Sequence, residues 1–296
     1  NMSYELGRAN QALGRLEEAA RHYTEALSRE PENPRFLKFA GENSFARKDY
    51  ENAKTLLMKA TKLNPKDIDV HYYLGRIAYI EKKHQTAIQR FKQGLGLNKR
   101  NHVIRYWLAR ALQASGIKDQ VKASRAQYDR VSAAVVKQPS LEAELCDVFF
   151  RRGQMQMERF AEWQSGIVEF GRHVKCNPKN EMAWYNRGVL KEKVNDLEGA
   201  IKDFQMAIKL NSRMGKAYAD EARARMRLPK FSERRIRSLL KNALRYDKTL
   251  AHPHFVLCNL EKERNPAAAR RACNAYLKAA PQGDYAGEAK ELLRSL

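Results

Sequence analysis

Through residues 180–214, NEMAWYNRGVLKEKVNDLEGAIKDFQMAIKLNSRM, apolar and small residues return at steps of three and four with charged residues between them. Such stripes predict two amphipathic helices, parted at Asn195 and Asp196, a pair suited to a tight reversal of the chain. Counting Glu181 as position 1, small residues stand at positions 8 (Gly188), 20 (Ala200) and 27 (Ala207), and large ones at 4 (Trp184), 24 (Phe204) and 28 (Ile208). The small positions let two antiparallel helices approach closely, and the large ones fill the groove between them. Helices of about 13 residues are too short to be stable alone in water, so the hairpin needs copies of itself.

The copies are present. Gly7, Gly41 and Gly75 are 34 apart, as are Ala19, Ala53 and Ala87. Pro31 and Pro65 keep the same step, with Lys99 in place of a third proline. Tyr23, Leu57 and Phe91 fill position 24, and Ala26, Ala60 and Gly94 fill position 27. The first copy lacks its first position because Asn1 is already position 2, which reads as an excised or processed chain start.

The fourth copy starts near His102 and turns at Gly116; its second helix runs long, on Ile117, Val121, Ser124, Tyr128, Val131 and Val135, until Pro139 and Ser140 stop it. The fifth starts near Cys146 and slips by one residue around Arg159 to Glu162. The seventh has Ser232 as the N-cap of a second helix striped by Ile236, Leu239, Leu240, Ala243 and Leu244. The eighth turns at Asn265 and Pro266. The tail, with Tyr285, Ala289, Leu292, Leu293 and Leu296 on one side, predicts a helix that covers the last repeat.

This spacing resembles the tetratricopeptide repeat, a 34-residue helix–turn–helix unit. The resemblance implies an all-α fold, a right-handed α-solenoid of stacked helix–turn–helix repeats with a C-terminal capping helix. The repeats are expected near 1–33, 34–67, 68–101, 102–145, 146–180, 181–214, 215–249 and 250–281, with the cap at 282–296, as one domain. The tail resembles bacterial repeat proteins, which makes a bacterial source the expectation.

Composition narrows the function. Of 296 residues, 43% are apolar, which argues against disorder, and no run approaches the ~20 apolar residues of a membrane helix. Cys146, Cys176, Cys258 and Cys273 form no CxxC pair and read as small buried hydrophobes in a reducing, cytoplasmic compartment. The seven histidines lack ligand spacing, and no glycine-rich phosphate loop, nucleophile elbow or carboxylate pair is present. No catalytic, metal or cofactor residue is therefore assigned, and binding is the expected activity.

The family lines its concave surface with the first helix of each repeat, at positions 2, 5, 9, 12 and 13. Position 5 here holds Tyr4, Lys38, Tyr72, Tyr106, Phe150 and Tyr185; position 9 holds Arg8, Glu42, Arg76, Arg110, Gln154 and Val189; Tyr79 and Phe45 add aromatics at position 12. Tyrosine–arginine pairs thus recur in repeats 1, 3 and 4, a set suited to a peptide bearing carboxylates. Tyrosine at position 5 also serves repeat stacking in the family. The chaperone-binding members use lysine at position 5 with asparagine at position 9; Lys38 is paired with Glu42 instead, so that clamp is absent.

The net charge is +22, and Arg223, Arg225, Arg227, Arg234, Arg235 and Arg237 cluster around Pro229. The patch reads first as a solvated basic surface; as a binding site, an acidic protein partner ranks above nucleic acid or anionic lipid. The expected function is a non-catalytic scaffold or adaptor that binds an acidic peptide or protein on its concave face, with bacterial polarity, motility, secretion or envelope assembly as settings. An RNA-binding helical-repeat protein and a structural oligomerisation module stay open as alternatives.

Overall fold

The structure is a computed structural model that describes residues 1–158 and 162–296. Among the described residues it holds α-helices, a short 3₁₀ turn at Pro139–Leu141, and no strand. The contacts gather into two compact units, Asn1–Val148 and Phe149–Leu296.

The first unit is a series of helical hairpins: α1 (Met2–Ala12) with α2 (Leu16–Arg29), α3 (Pro34–Ala46) with α4 (Tyr50–Leu63), α5 (Ile68–Ile80) with α6 (His84–Leu97), and α7 (His102–Ala114) with α8 (Lys118–Lys137). Each first helix starts where a side chain caps it. Asn33, Asp67 and Asn101 accept from the backbone N–H groups of α3, α5 and α7, supplying acceptors to donors that the helix itself leaves free. Each hairpin reverses through a residue in the left-handed region: Gly14, Lys48, Lys82 and Gly116, again one repeat apart. The two helices then close on the small positions. A Cβ on Gly75 would stand 2.5 Å from the Phe91 ring, so only glycine admits that approach.

The fourth hairpin departs from the period as expected. α8 runs to Lys137 and buries Ser124, Tyr128, Val131, Ser132 and Val135. The turn at Pro139–Leu141 and the short α9 (Glu142–Leu145) follow it.

α10 (Asp147–Met157) begins the passage to the second unit, which continues with α11 (Trp163–Cys176), α12 (Glu181–Lys193), α13 (Leu197–Leu210), α14 (Gly215–Met226), α15 (Glu233–Tyr246), α16 (Ala251–Glu261), α17 (Pro266–Ala279) and α18 (Ala286–Ser295). The one-residue slip expected around Arg159 to Glu162 falls on residues 159–161, outside the described residues. Asn195 takes a φ of 66° at the α12–α13 reversal, and Ser232 caps α15 through the N–H of Arg235. α18 packs on α16 and α17, with Ala286 and Ala289 buried and the Tyr285 ring stacked on Phe255.

The cysteines depart from the sequence reading. Among the described residues none is a free thiol, which is at odds with four reduced cysteines. Cys258 on α16 and Cys273 on α17 form a disulfide with their Cα atoms 5.1 Å apart, and both are fully buried. The register explains the pairing. These are the small position and the facing large position of the eighth hairpin, and the close approach of the helices there brings two thiols within bonding reach.

Candidate interaction surfaces

The first helices of the first unit carry a ladder of arginines on aromatic faces. The guanidinium of Arg76, on α5, lies 3.8 Å from the centre of the Trp107 ring on α7, and within 5.3 Å and 5.5 Å of the Phe45 and Tyr72 rings. Arg110 lies 4.6 Å from Trp107, 5.2 Å from Tyr79 and 5.9 Å from Tyr106. Trp107 therefore has both guanidinium groups within cation–π range. Arg76 also donates to the Tyr72 hydroxyl at 2.6 Å. Neither arginine has a carboxylate partner among the described residues.

The remaining predicted residues of this face divide. Arg8 packs on Tyr4 and Phe39 but pairs with Glu5 at 3.2 Å. Tyr4 is 2% exposed, stacked on Phe36 between α1 and α3, so it is a core ring with little surface for a partner. Tyr106 is likewise buried, and its hydroxyl donates to Asp147. Lys38 is held by Asp67 and Asp69, at 3.5 Å and 3.2 Å. Burial alone would lower its pKa, but the hydrogen bond to Asp69 and the charge of both aspartates hold it above the usual lysine value.

Glu42, Asp69 and Glu144 meet around a cleft of about 410 Å³, with Tyr72 and Tyr73 among its walls. Burial pushes the Glu42 carboxyl up to about 7, only partly offset by Lys38. The first-helix face is therefore acidic around α3 and the start of α5, and cationic from Arg76 to Arg110.

In the second unit the basic patch of the sequence comes apart into two surfaces. Arg223 binds both carboxylate oxygens of Glu192, at 2.8 Å and 2.7 Å, and reaches Asp220 at 2.7 Å. Arg225 pairs with Glu221 at 2.8 Å, with Arg235 at 3.4 Å from the same carboxylate; Arg227 lies 3.5 Å from Glu192 and donates to Asn195. Glu192 and Glu221 are 6% and 1% exposed, so these arginines neutralise buried acids: Glu192 of the neighbouring α12, and Glu221 of α14 itself, reached from α14 and from α15. Tyr185 joins the same network by donating to Asp220 at 2.8 Å. Arg234 and Arg237 lie apart from it, in a cleft on α15.

Position rules missed Trp107. It stands beside Tyr106, one residue off the positions the family turns inward, and only its indole beside two arginines marked it. The buried acids Glu192 and Glu221 were also unmarked; their signal was a charged residue inside an apolar stripe.

Comparison with known proteins adds the family. Tetratricopeptide-repeat profiles match residues 10–77 and residues 182–214, one stretch in each unit. No curated protein matches the chain in sequence. Among solved structures, the C-terminal part of a TPR repeat-containing protein from Cytophaga hutchinsonii is similar at 14% identity, with a TM-score of 0.63, over 87% of this chain and 99% of that one. MamA is similar at 17% identity with a TM-score of 0.37, over 71% of this chain and 97% of that one.

Proposed function

The chain is a tetratricopeptide-repeat protein, with the repeat in both of its units, and on that premise we propose that it is a non-catalytic scaffold whose first-helix face in the first unit holds an acidic segment of a protein partner. The observation that supports this reading is the pair Arg76 and Arg110 beside Trp107. Their planes are held by aromatic rings, while no carboxylate of the described chain neutralises them. A guanidinium oriented in advance loses less freedom on binding and can grip a carboxylate with two hydrogen bonds.

The acids on the same face set the register of the partner. Its carboxylates belong beside Arg76 and Arg110, away from Glu42, Asp69 and Glu144. Those acids also oppose a nucleic-acid backbone tracking the whole face, which favours a protein partner over RNA.

The test is affinity capture followed by anisotropy on the captured segment. Arg76→Glu and Arg110→Glu should each lose the partner, and Lys202→Glu, on the exposed side of α13, should keep it. Loss in the Lys202 variant to the same extent assigns the effect to general charge. Normal binding by both arginine variants removes the face from consideration.

A further inference from the structure

α15 carries Arg234, Arg237 and Lys241 at steps of three and four, which places them along one side of the helix. Together with Arg264, at the end of the turn into α17, and with Ser238, Asn242 and Glu261, they line a cleft of about 690 Å³. Arg237 is fixed in place. Its Nε lies 3.2 Å from Glu261 Oε1, its Nη2 donates to the Leu260 carbonyl at 2.8 Å and lies 3.1 Å from Glu233, and the side chain is 14% exposed. Arg234, Lys241 and Arg264 are exposed, and none has a carboxylate partner among the described residues. Both nearby carboxylates, Glu261 and Glu233, are thus engaged by Arg237, and three cations are left without one.

We propose that this cleft binds a phosphorylated serine or threonine side chain of a peptide. The charge of Arg234, Lys241 and Arg264 together exceeds what a single carboxylate of a ligand would balance. A phosphate monoester carries about −1.5 to −2 at neutral pH and offers three acceptor oxygens, enough for Arg237 and two of the mobile cations at once. A fixed Arg237 lowers the ordering cost of the first contact.

The lining favours a peptide over a nucleic acid. No aromatic side chain lines the cleft, so bases would find no stacking platform. Glu261 opposes a continuous polyphosphate but suits a basic residue that follows the phosphorylated one. Ser238 and Asn242 can bond a peptide backbone. The site lies in the second unit and is independent of the Arg76 and Arg110 face.

The probe is a fluorescein-labelled ten-residue peptide of glycine and alanine with one phosphoserine and one arginine, compared by anisotropy with its unphosphorylated form and with a short single-stranded RNA, at about 150 mM salt. The phosphopeptide should bind about tenfold more tightly than the unphosphorylated peptide. Arg234→Glu combined with Lys241→Glu should abolish that preference, and Arg264→Ala alone should reduce it several-fold; circular dichroism should show both variants folded, since all three side chains are exposed. Lys202→Glu, on the exposed side of α13 and outside the cleft, should leave the preference intact. Equal binding of the two peptides overturns the proposal, as does a preference that survives the double variant. Tighter binding of the RNA, lost in the same double variant, also overturns it and makes the cleft a nucleic-acid backbone surface.

Discussion

The guanidinium of Arg76 and the indole of Trp107 lie 3.8 Å apart, α5 against α7, so that a residue read as a binding cation is also a joint between repeats. A cation–π contact of this kind is worth about 0.5–2 kcal/mol. Arg76→Lys keeps the charge but loses the planar stack, and should therefore weaken both stability and partner binding modestly. Trp107→Ala removes the ring shared with Arg110 and should cost more stability than either arginine change. Thermal melts that leave Trp107→Ala level with wild type would dismiss the joint.

Hairpin closure is the second test. A Cβ on Gly188 would stand 2.8 Å from the Phe204 ring, and Ala200 is fully buried beside it. Gly188→Leu and Ala200→Leu should each destabilise by roughly 1–3 kcal/mol or more through overpacking. The exposed Lys202→Ala should stay within about ±0.5 kcal/mol. Chemical denaturation of the three variants measures the contrast.

Two reversals carry a residue that the backbone disfavours. Lys48 and Lys82 have φ of 65° and 59°, at the register where Gly14 and Gly116 serve the first and fourth hairpins. Relief of the left-handed strain should outweigh the extra entropy that glycine loses on folding. Lys48→Gly and Lys82→Gly should each raise the melting temperature, by about 0.5–1 kcal/mol in stability, and a fall in either would contradict the turn geometry.

Glu42 makes stability depend on pH. Its folded value, about 7, lies above its unfolded one, so its contribution is fully present below the unfolded value and is lost as pH rises through about 7. Above that pH the fold holds a half-buried carboxylate that Lys38 offsets only in part. Glu42→Gln should therefore stabilise the protein at pH 8 and change little at pH 5. The same variant melted at the two pH values decides it; an equal shift at both would mean that ionisation is not the cause.

The Cys258–Cys273 bridge closes a loop across one hairpin, with a sequence separation of 15. Constraining the unfolded chain over a loop of that size is worth about 3 kcal/mol. Reduction with a phosphine should lower the stability of the second unit by at least about that amount, and Cys273→Ser should remove this bridge's share of the response to reductant. Thiol titration that finds two reactive groups here in the native protein would refute the bridge.

The sequence by itself determined the hairpins. Small residues at a fixed period, with large residues facing them, can close only as paired helices, and the helix starts follow that period from α3 to α8 and again from α11 to α14. It also marked Ser232 as a cap and Asn195 as a reversal, because capping and left-handed turns act on the backbone within a few residues. The charges were another matter. Arg223, Arg225, Arg227 and Arg235 look alike in sequence to Arg234, yet the first four lie against Glu192, Asp220 and Glu221, while Arg234 lines an open cleft beside an Arg237 that is held by Glu233 and Glu261. Lys38 and Arg76 both stand at first-helix groove positions, 5 and 9, yet one is held by aspartates and the other by an indole ring. Backbone form is set by local pattern, but whether a charge is neutralised depends on which carboxylates helix packing brings within its reach, and only the tertiary structure decides that.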